Sequence, residues 1–448
     1  MRSRLGHNEP VTDMEMTHAA DDVMRPTDGA TGEPPLISWR LVTAIVATLA
    51  MVAVLFWIPV PFVVNSPGPT FNVLGSFNGE PMIQISGTDP TTGQDVQLDE
   101  PQSASYKDKA KPGQGQLRMV TVSESGGPGK RLSFAELIGA YFDPHSRIFD
   151  YDAVYPSDAT REKVSEAQQA MMRNSQTTSQ VAALEYLGWE VPAAVTIEGA
   201  TDGSHAEGVV AQGDRLLAIT TPDGTRHDVT SAAMPFTLMR TVPAGSHMTL
   251  TIERDGEQQD ISFDSVAASQ GEPGSKLGIY LSVAPTLPVD IAFNLEGIGG
   301  PSAGMMFSLG IIDRMTPGDM TGGKAIAGTG TMSYDGRVGA IGGIAQKMWG
   351  AHDDGAQWFL APADNCSDVV GHVPDGLHVV SVSTLDEAVT ALSSIASGSG
   401  DTLPTCQQRP ERFDDHPRRD GCIGSGASPV GAGEARTQCS VVLVDRLE

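Results

Sequence analysis

One run of twenty residues without a charged side chain constrains this chain most: Leu41–Val60, LVTAIVATLAMVAVLFWIPV. As a single helix it would extend about 30 Å, the thickness of a bilayer's hydrocarbon layer. Such a run is a membrane span, a signal peptide or a helix inside a core. A cleaved signal normally has a shorter apolar stretch followed by small residues. This one ends on Trp57, Pro59 and Pro61, so the sequence predicts an uncleaved transmembrane anchor over residues 41–61. Arg2, Arg4, Arg25 and Arg40 precede it, and no Lys or Arg follows until Lys107. That asymmetry puts the N-terminus in the cytoplasm and the rest outside, as in a single-pass protein of the cell membrane. A buried core helix is the competing reading.

The 448 residues suffice for two or three domains with their own cores. A formal net charge of -26 argues against a nucleic-acid partner, whose phosphates want Lys and Arg. Neither C-x-x-C nor H-E-x-x-H occurs, so the sequence supports no metal site. Residues 1–40 are polar and mixed in charge and read as a disordered tail. Residues 62–188 read as β-rich, with a strand at Gln116–Glu124, and then helical over 159–188, where Gly188 stops the helix. Residues 189–268 are short strands separated by Gly and Asp turns. Residues 278–395 form the last dense region, and 396–448, rich in Ser, Gly, Pro and Arg, read as mostly disordered.

Within that last region, Val289, Ile291, Phe293 and Leu295 alternate with Asp290, Ala292 and Asn294, the pattern of a half-buried strand. Gly297, Gly299 and Gly300 follow, then Pro301 and Ser302. Met305, Met306, Leu309 and Ile312 then keep helical spacing. Ser302 therefore stands where a helix begins, beside free backbone N–H groups and the positive end of the helix dipole. Those are the donors an oxyanion needs. Serine is equally a favoured N-cap, so the local string leaves cap and nucleophile both open.

A serine nucleophile needs a base. Beyond Ser302 the chain has two lysines, Lys324 in a turn and Lys347 in GGIAQKMWGAHDDG. Ile344, Lys347, Met348 and Ala351 share one helical face, otherwise apolar. A lysine there loses hydration and its pKa falls, so it can accept a proton near neutrality. It can also snorkel to the surface, and spacing does not decide between the two.

Two resemblances bear on these choices. GVVAQGDRLLAI, Gly208–Ile219, with MTLTIERDG after it, resembles a PDZ domain; such domains bind extended peptides by strand addition. The usual carboxylate-binding loop has no clear counterpart. GGPSAGMMFSLGIID and IAGTGTMSYDGRVGAIGGIAQKMWGAHDDGAQWFLAPADN resemble the proteolytic domain of Lon proteases. The resemblance implies a Ser–Lys dyad, Ser302 as nucleophile and Lys347 as general base. It also implies that Ser333 holds the lysine, that Gly300 and Ala303 support the site, and that subunits form hexameric rings. The family usually has an acidic residue where this chain has Gly299. No complete G-x-x-x-x-G-K-[ST] loop occurs, so no ATPase and no cofactor are expected. The whole order resembles the ATP-independent, membrane-anchored PDZ–Lon serine proteases of Gram-positive bacteria.

The expected fold is α+β: an N-terminal transmembrane helix, a PDZ-like β-rich domain and a Lon-like α+β domain. The expected partners are protein or peptide substrates. Outside the cytoplasm, Cys366 and Cys406 are expected to form a disulfide that pins the chain end; four reduced thiols would follow from the opposite topology. Cys422 and Cys439 fall in the tail. Two other readings stand beside the protease. One is a PDZ-type adaptor with an inactive protease fold. The other is an α/β-hydrolase triad, since Gly300–Gly304 also fits G-x-S-x-G, with Asp364 or Asp368 and His372 following in order.

Overall fold

A computed structural model describes residues 39–99, 102, 104–111, 113–268, 273–295 and 297–406. Of the tails expected over residues 1–40 and 396–448, residues 1–38 and 407–448, with Cys422 and Cys439, lie outside the described residues. The chain divides into two compact units at Leu55/Phe56.

The first unit contains most of α1, Trp39–Phe56. Its 18 residues reach about 27 Å at 1.5 Å per residue. Among the described residues, no helix is long and apolar enough to cross a membrane. The span expected over 41–61 is corrected accordingly. The cause is local: Pro59 and Pro61 cannot donate a backbone hydrogen bond, and the residue before a proline is pushed toward extended backbone. The chain leaves the helix at Trp57, and Pro59–Val60 pairs with Leu132–Ser133.

In the second unit the strands β1 (Phe62–Asn72), β2 (Ile83–Gly87) and β3 (Gln116–Ser125) come first. Then follow helix α2 (Phe134–Phe142), strand β4 (Arg147–Asp150) and helix α3 (Arg161–Tyr186). Thr160 caps α3 by accepting from the Lys163 N–H at 3.2 Å. A β-rich region comes next: β5 (Ala193–Ala200), β6 (Arg215–Thr220), β7 (Arg226–Asp228), α4 (Met234–Met239), β8 (His247–Arg254), β9 (Glu257–Asp264) and β10 (Ile279–Pro285). Its sheet runs β9-β8-β6-β5-β10, with β7 on β6, over a core of its own. Strand β10, read from sequence as part of the last region, is the edge strand here, paired with β5 from Ile279↔Ala200 to Pro285↔Ala193.

The chain continues through β11 (Val289–Phe293), α5 (Gly304–Met315), β12 (Ala325–Gly328), the short pair β13 (Thr331–Met332) and β14 (Val338–Gly339), α6 (Ile344–Asp353), β15 (Trp358–Pro362), β16 (His378–Val382) and α7 (Leu385–Ala396). The main sheet runs β16-β15-β12-β3-β1-β4. Strands from β16 to β3 are parallel, while β1 is antiparallel to both neighbours. Residues 62–150 thus supply half of the sheet that residues 325–382 complete.

Alternation along the strands fixes what each face buries. Leu117, Met119, Ile326, Leu360 and Val380 join α5, α7 and α3 in one core. Val120, Ala327, Phe359, Ala361 and Val379 join α6 in another, on the opposite face. Helix α6 sits so close that a Cβ on Gly350 would lie 2.5 Å from the Gly68 carbonyl oxygen of β1. Beyond Ala396 the chain stays packed: Pro404 accepts from the Ser381 N–H at 2.8 Å, and Cys406 is bonded to Cys366. The tail expected from residue 396 is therefore not seen through Cys406.

Candidate active site

The central strand β12 is only four residues long. Its neighbour β3 pairs with it through Met119 and runs on to Ser125. A parallel sheet opens a crevice beyond the carboxyl ends of its strands, and here the short strand leaves room for one. A cleft of about 1130 Å³ fills this space. Val120–Glu124 forms one wall, and Gly297–Ala303, Thr331, Ala340–Gly343 and Lys347 line another part, with α3 residues such as Gln168 and Met172 beside them.

Ser302 enters from one face of the sheet, in the turn before α5. The N-cap of that helix is Ala303 and no side chain caps it, so Ser302 does not serve as the cap. The turn is held by its backbone. The Ser302 carbonyl accepts from Gly330 N–H at 2.9 Å and from the Thr329 hydroxyl at 3.0 Å. Helix α3 backs it: Ser175 Oγ donates to the Pro301 carbonyl at 2.9 Å, and Ser179 Oγ to that of Gly304 at 2.9 Å. These small hydroxyls let α3 and α5 approach closely. The Gly300 N–H is spent on the Gln168 carbonyl at 3.0 Å, so it cannot also serve an oxyanion. Gly299 has a steric reason: a Cβ there would lie 2.7 Å from Gln168 Cβ.

Lys347 enters from the other face, on α6, whose start is set by Gly343 at φ 69°. It is 4% exposed, beside Ile344, Met348 and Ala351, all buried. It therefore does not snorkel. Desolvation lowers its pKa to about 7, so the amine is substantially neutral at physiological pH. Its Nζ donates to the Thr329 hydroxyl at 3.3 Å. Thr329 is fully buried and is the first residue past the carboxyl end of β12. One hydroxyl thus touches both the lysine and the serine turn. Asn365 steadies the cleft wall by bonding both the N–H and the carbonyl of Ile341 at 2.9 Å.

Ser333 lies elsewhere. Its hydroxyl donates to Asp335 at 2.5 Å, inside the turn from Ser333 to Arg337. The expectation that it holds the lysine is corrected: the short β13–β14 pair carries it away, and Thr329, four residues earlier, takes that place. The signal for Thr329 was a hydroxyl directly after an apolar strand, which spacing alone does not separate from Ser333. His372 faces Arg147 at 3.3 Å, at an exposed position outside the cleft lining, so it does not join Ser302 in a triad.

This geometry defines the class of site: a serine at a helix start and a buried amine lining one cleft, at the carboxyl end of a parallel strand. Residues 297–394 match the model of the Lon protease (S16) C-terminal proteolytic domain. The chain is 32% identical over 144 residues to a Lon protease of Azospirillum brasilense, covering 30% of this chain and 17% of that protein. It is 37% identical over 130 residues to Lon protease 1 of Sorangium cellulosum, covering 28% and 15%. It is 33% identical over 93 residues to Lon protease 1 of Bacillus subtilis, covering 20% and 12%. The chain spans under a fifth of the length of these relatives. The likeness of its last region to the Lon proteolytic domain stands on both the family model and these relatives.

Proposed function

We propose that this chain is a serine endopeptidase that works without ATP, with Ser302 as nucleophile and Lys347 as general base. The observation that carries the reading is the buried amine, its pKa near 7, opening onto the same cleft as a serine at a helix start. Ser302 Oγ attacks the peptide carbonyl carbon while its proton passes to Lys347 Nζ. The carbonyl oxygen becomes an oxyanion, met by backbone N–H groups at the start of α5 around Ala303. The peptide C–N bond then breaks, and the Lys347 proton goes to the leaving amine. Water, deprotonated by the same amine, releases the acyl group from Ser302.

Residues Val120–Ser125 of β3 pair with β1 on one side only, since β12 ends opposite Met119. Their other edge faces the cleft. An extended substrate segment would add there as a strand, which presents its carbonyl carbons in a fixed register.

Location belongs to the same proposal: a membrane-associated protein whose catalytic unit is extracytoplasmic, acting on protein substrates there. Support comes from the exposed apolar side chains of α1, the arginines before it with no Lys or Arg after it until Lys107, and the Cys366–Cys406 disulfide, which suits an oxidising compartment. Assembly into a ring, in the manner the Lon resemblance implies, completes it.

One feature favours the adaptor as a second reading. The PDZ-like sheet presents β10 as an edge strand, and a cavity of about 250 Å³ lies between β10 and α4, with Leu277, Gly278 and Ile279 in its wall. That is room for the end of an extended peptide.

The test is peptidase turnover of the full chain in detergent, without ATP, against Ser302→Ala, Lys347→Ala and His372→Ala. Turnover lost in the first two and kept in the third supports the dyad. Full activity of Lys347→Ala would remove it, and tight binding of peptide tails with no turnover in any form would favour the adaptor.

A further inference from the structure

Helix α2 carries a second apolar surface, outside the cleft. Phe134, Leu137, Ile138, Tyr141 and Phe142 recur at i, i+3, i+4, i+7 and i+8, a stripe of the kind that normally faces a core. Yet no residue of α2 is buried, and Tyr141 and Phe142 are 75% and 77% exposed. The helix is well anchored nonetheless. Ser133 and Glu136 form a capping box, and the Phe134 N–H donates to the Ile58 carbonyl at 3.0 Å. The segment it is bonded to adds Phe56, whose ring lies 6.5 Å from that of Phe134, and Trp57, 82% exposed.

What covers this stripe is indicated by what the chain does next to it. Phe56–Ile58 is the direct continuation of α1, along which Leu41, Ile45, Val46, Leu49, Val52 and Val54 are all exposed. Apolar side chains exposed all round such a helix suit the apolar part of a lipid layer better than a groove on a partner protein, which covers one side. The patch that follows is aromatic rather than aliphatic, the composition that sits at the level of lipid headgroups. Lys130 and Arg131 stand just before α2 and suit anionic headgroups.

We propose that α2 and Phe56–Ile58 form a membrane-interface surface that seats the catalytic unit on the lipid headgroup layer. The proposal rests on the membrane location given above. It assigns part of the attachment to an in-plane helix.

The test uses the full chain with vesicles of phosphatidylcholine and phosphatidylglycerol brominated high on the acyl chain. The tryptophan introduced by Phe142→Trp should be quenched at least about twofold, while one introduced by Tyr280→Trp, at a position 60% exposed on the PDZ-like sheet, should not. The double variant Tyr141→Ser with Phe142→Ser should partition about 10- to 100-fold less onto the vesicles, from the apolar area withdrawn from lipid. Its turnover on a soluble peptide should be unchanged. If the chain floats with the vesicles but the tryptophan of the Phe142→Trp variant is unquenched, this surface is overturned and the location stands. If the chain does not float, both fall. If that same tryptophan becomes shielded from acrylamide without lipid as protein concentration rises, a second copy covers α2 and the proposal fails.

Discussion

Lys347 Nζ reaches the Thr329 hydroxyl at 3.3 Å, and that hydroxyl in turn donates to the Ser302 carbonyl at 3.0 Å. Two helices from opposite faces of the sheet are thereby tied through one buried side chain at the end of its central strand. Thr329→Val keeps the shape and removes the link. The expected result is a fall in kcat of about 10- to 100-fold with little change in KM, the scale of loss that follows a misplaced catalytic group. Thr329→Ser should restore most of it, and steady-state kinetics on a fluorogenic peptide distinguish the two.

The pH dependence follows from Lys347. Its pKa is near 7 when folded and 10.5 when exposed. On the proposed mechanism the active form is the neutral amine, so kcat/KM should rise with pH through an apparent pKa near 7. For stability, the folded chain binds fewer protons than the unfolded one between those values, so this group's contribution is fully present above pH 10.5. It is lost as pH falls through 7. Lys347→Met should therefore flatten the wild-type gain in stability between pH 7 and pH 10, as denaturant midpoints would show.

Arg118 is fully buried, and its guanidinium stands 3.7 Å from Asp354 at the end of α6. Asp354 also accepts from the Thr70 N–H and hydroxyl, at 3.0 and 2.9 Å. Asp354→Ala would take the nearest carboxylate from a buried arginine that keeps only Thr70, Gln116 and Asp108 around it, at a cost of up to about 3 kcal/mol. Because α6 carries Lys347, turnover should fall at temperatures below the new melting point as well. Thermal melts alongside peptidase assays test both.

The Cys366–Cys406 disulfide closes a loop with a sequence separation of 40. On the chain-entropy account such a loop contributes about 4 kcal/mol. Replacing both cysteines with serine should lower the melting temperature of the oxidised protein, and reductant should then have no further effect. The change should also loosen the cleft wall, since Asn365, next to Cys366, holds Ile341.

Much of the site was legible as chemistry in one dimension. The alternation from Val289, the glycine turn and the helical spacing after Ser302 gave strand, turn and helix. The apolar face around Lys347 marked a lysine in need of a partner. What spacing could not separate was Thr329 from Ser333, both hydroxyls after the same strand, because the β13–β14 pair that displaces Ser333 is only a few residues long. Nor could it show that Gly300 spends its N–H on Gln168, more than a hundred residues away. The apolar run at 41–60 was read by composition, while its helix ends where Trp57 meets the prolines.

The sequence by itself determined the local elements, the residue types able to do this chemistry and their order, because period and turn residues act over a few positions. Only the tertiary structure decided that residues 62–150 build half of the main sheet, that Ser302 and Lys347 arrive from opposite faces, and that β10 joins the sheet of β5, β6, β8 and β9 as its edge. Strand pairing joins residues far apart in the chain, and which edges meet is set by burial and shape across the whole core.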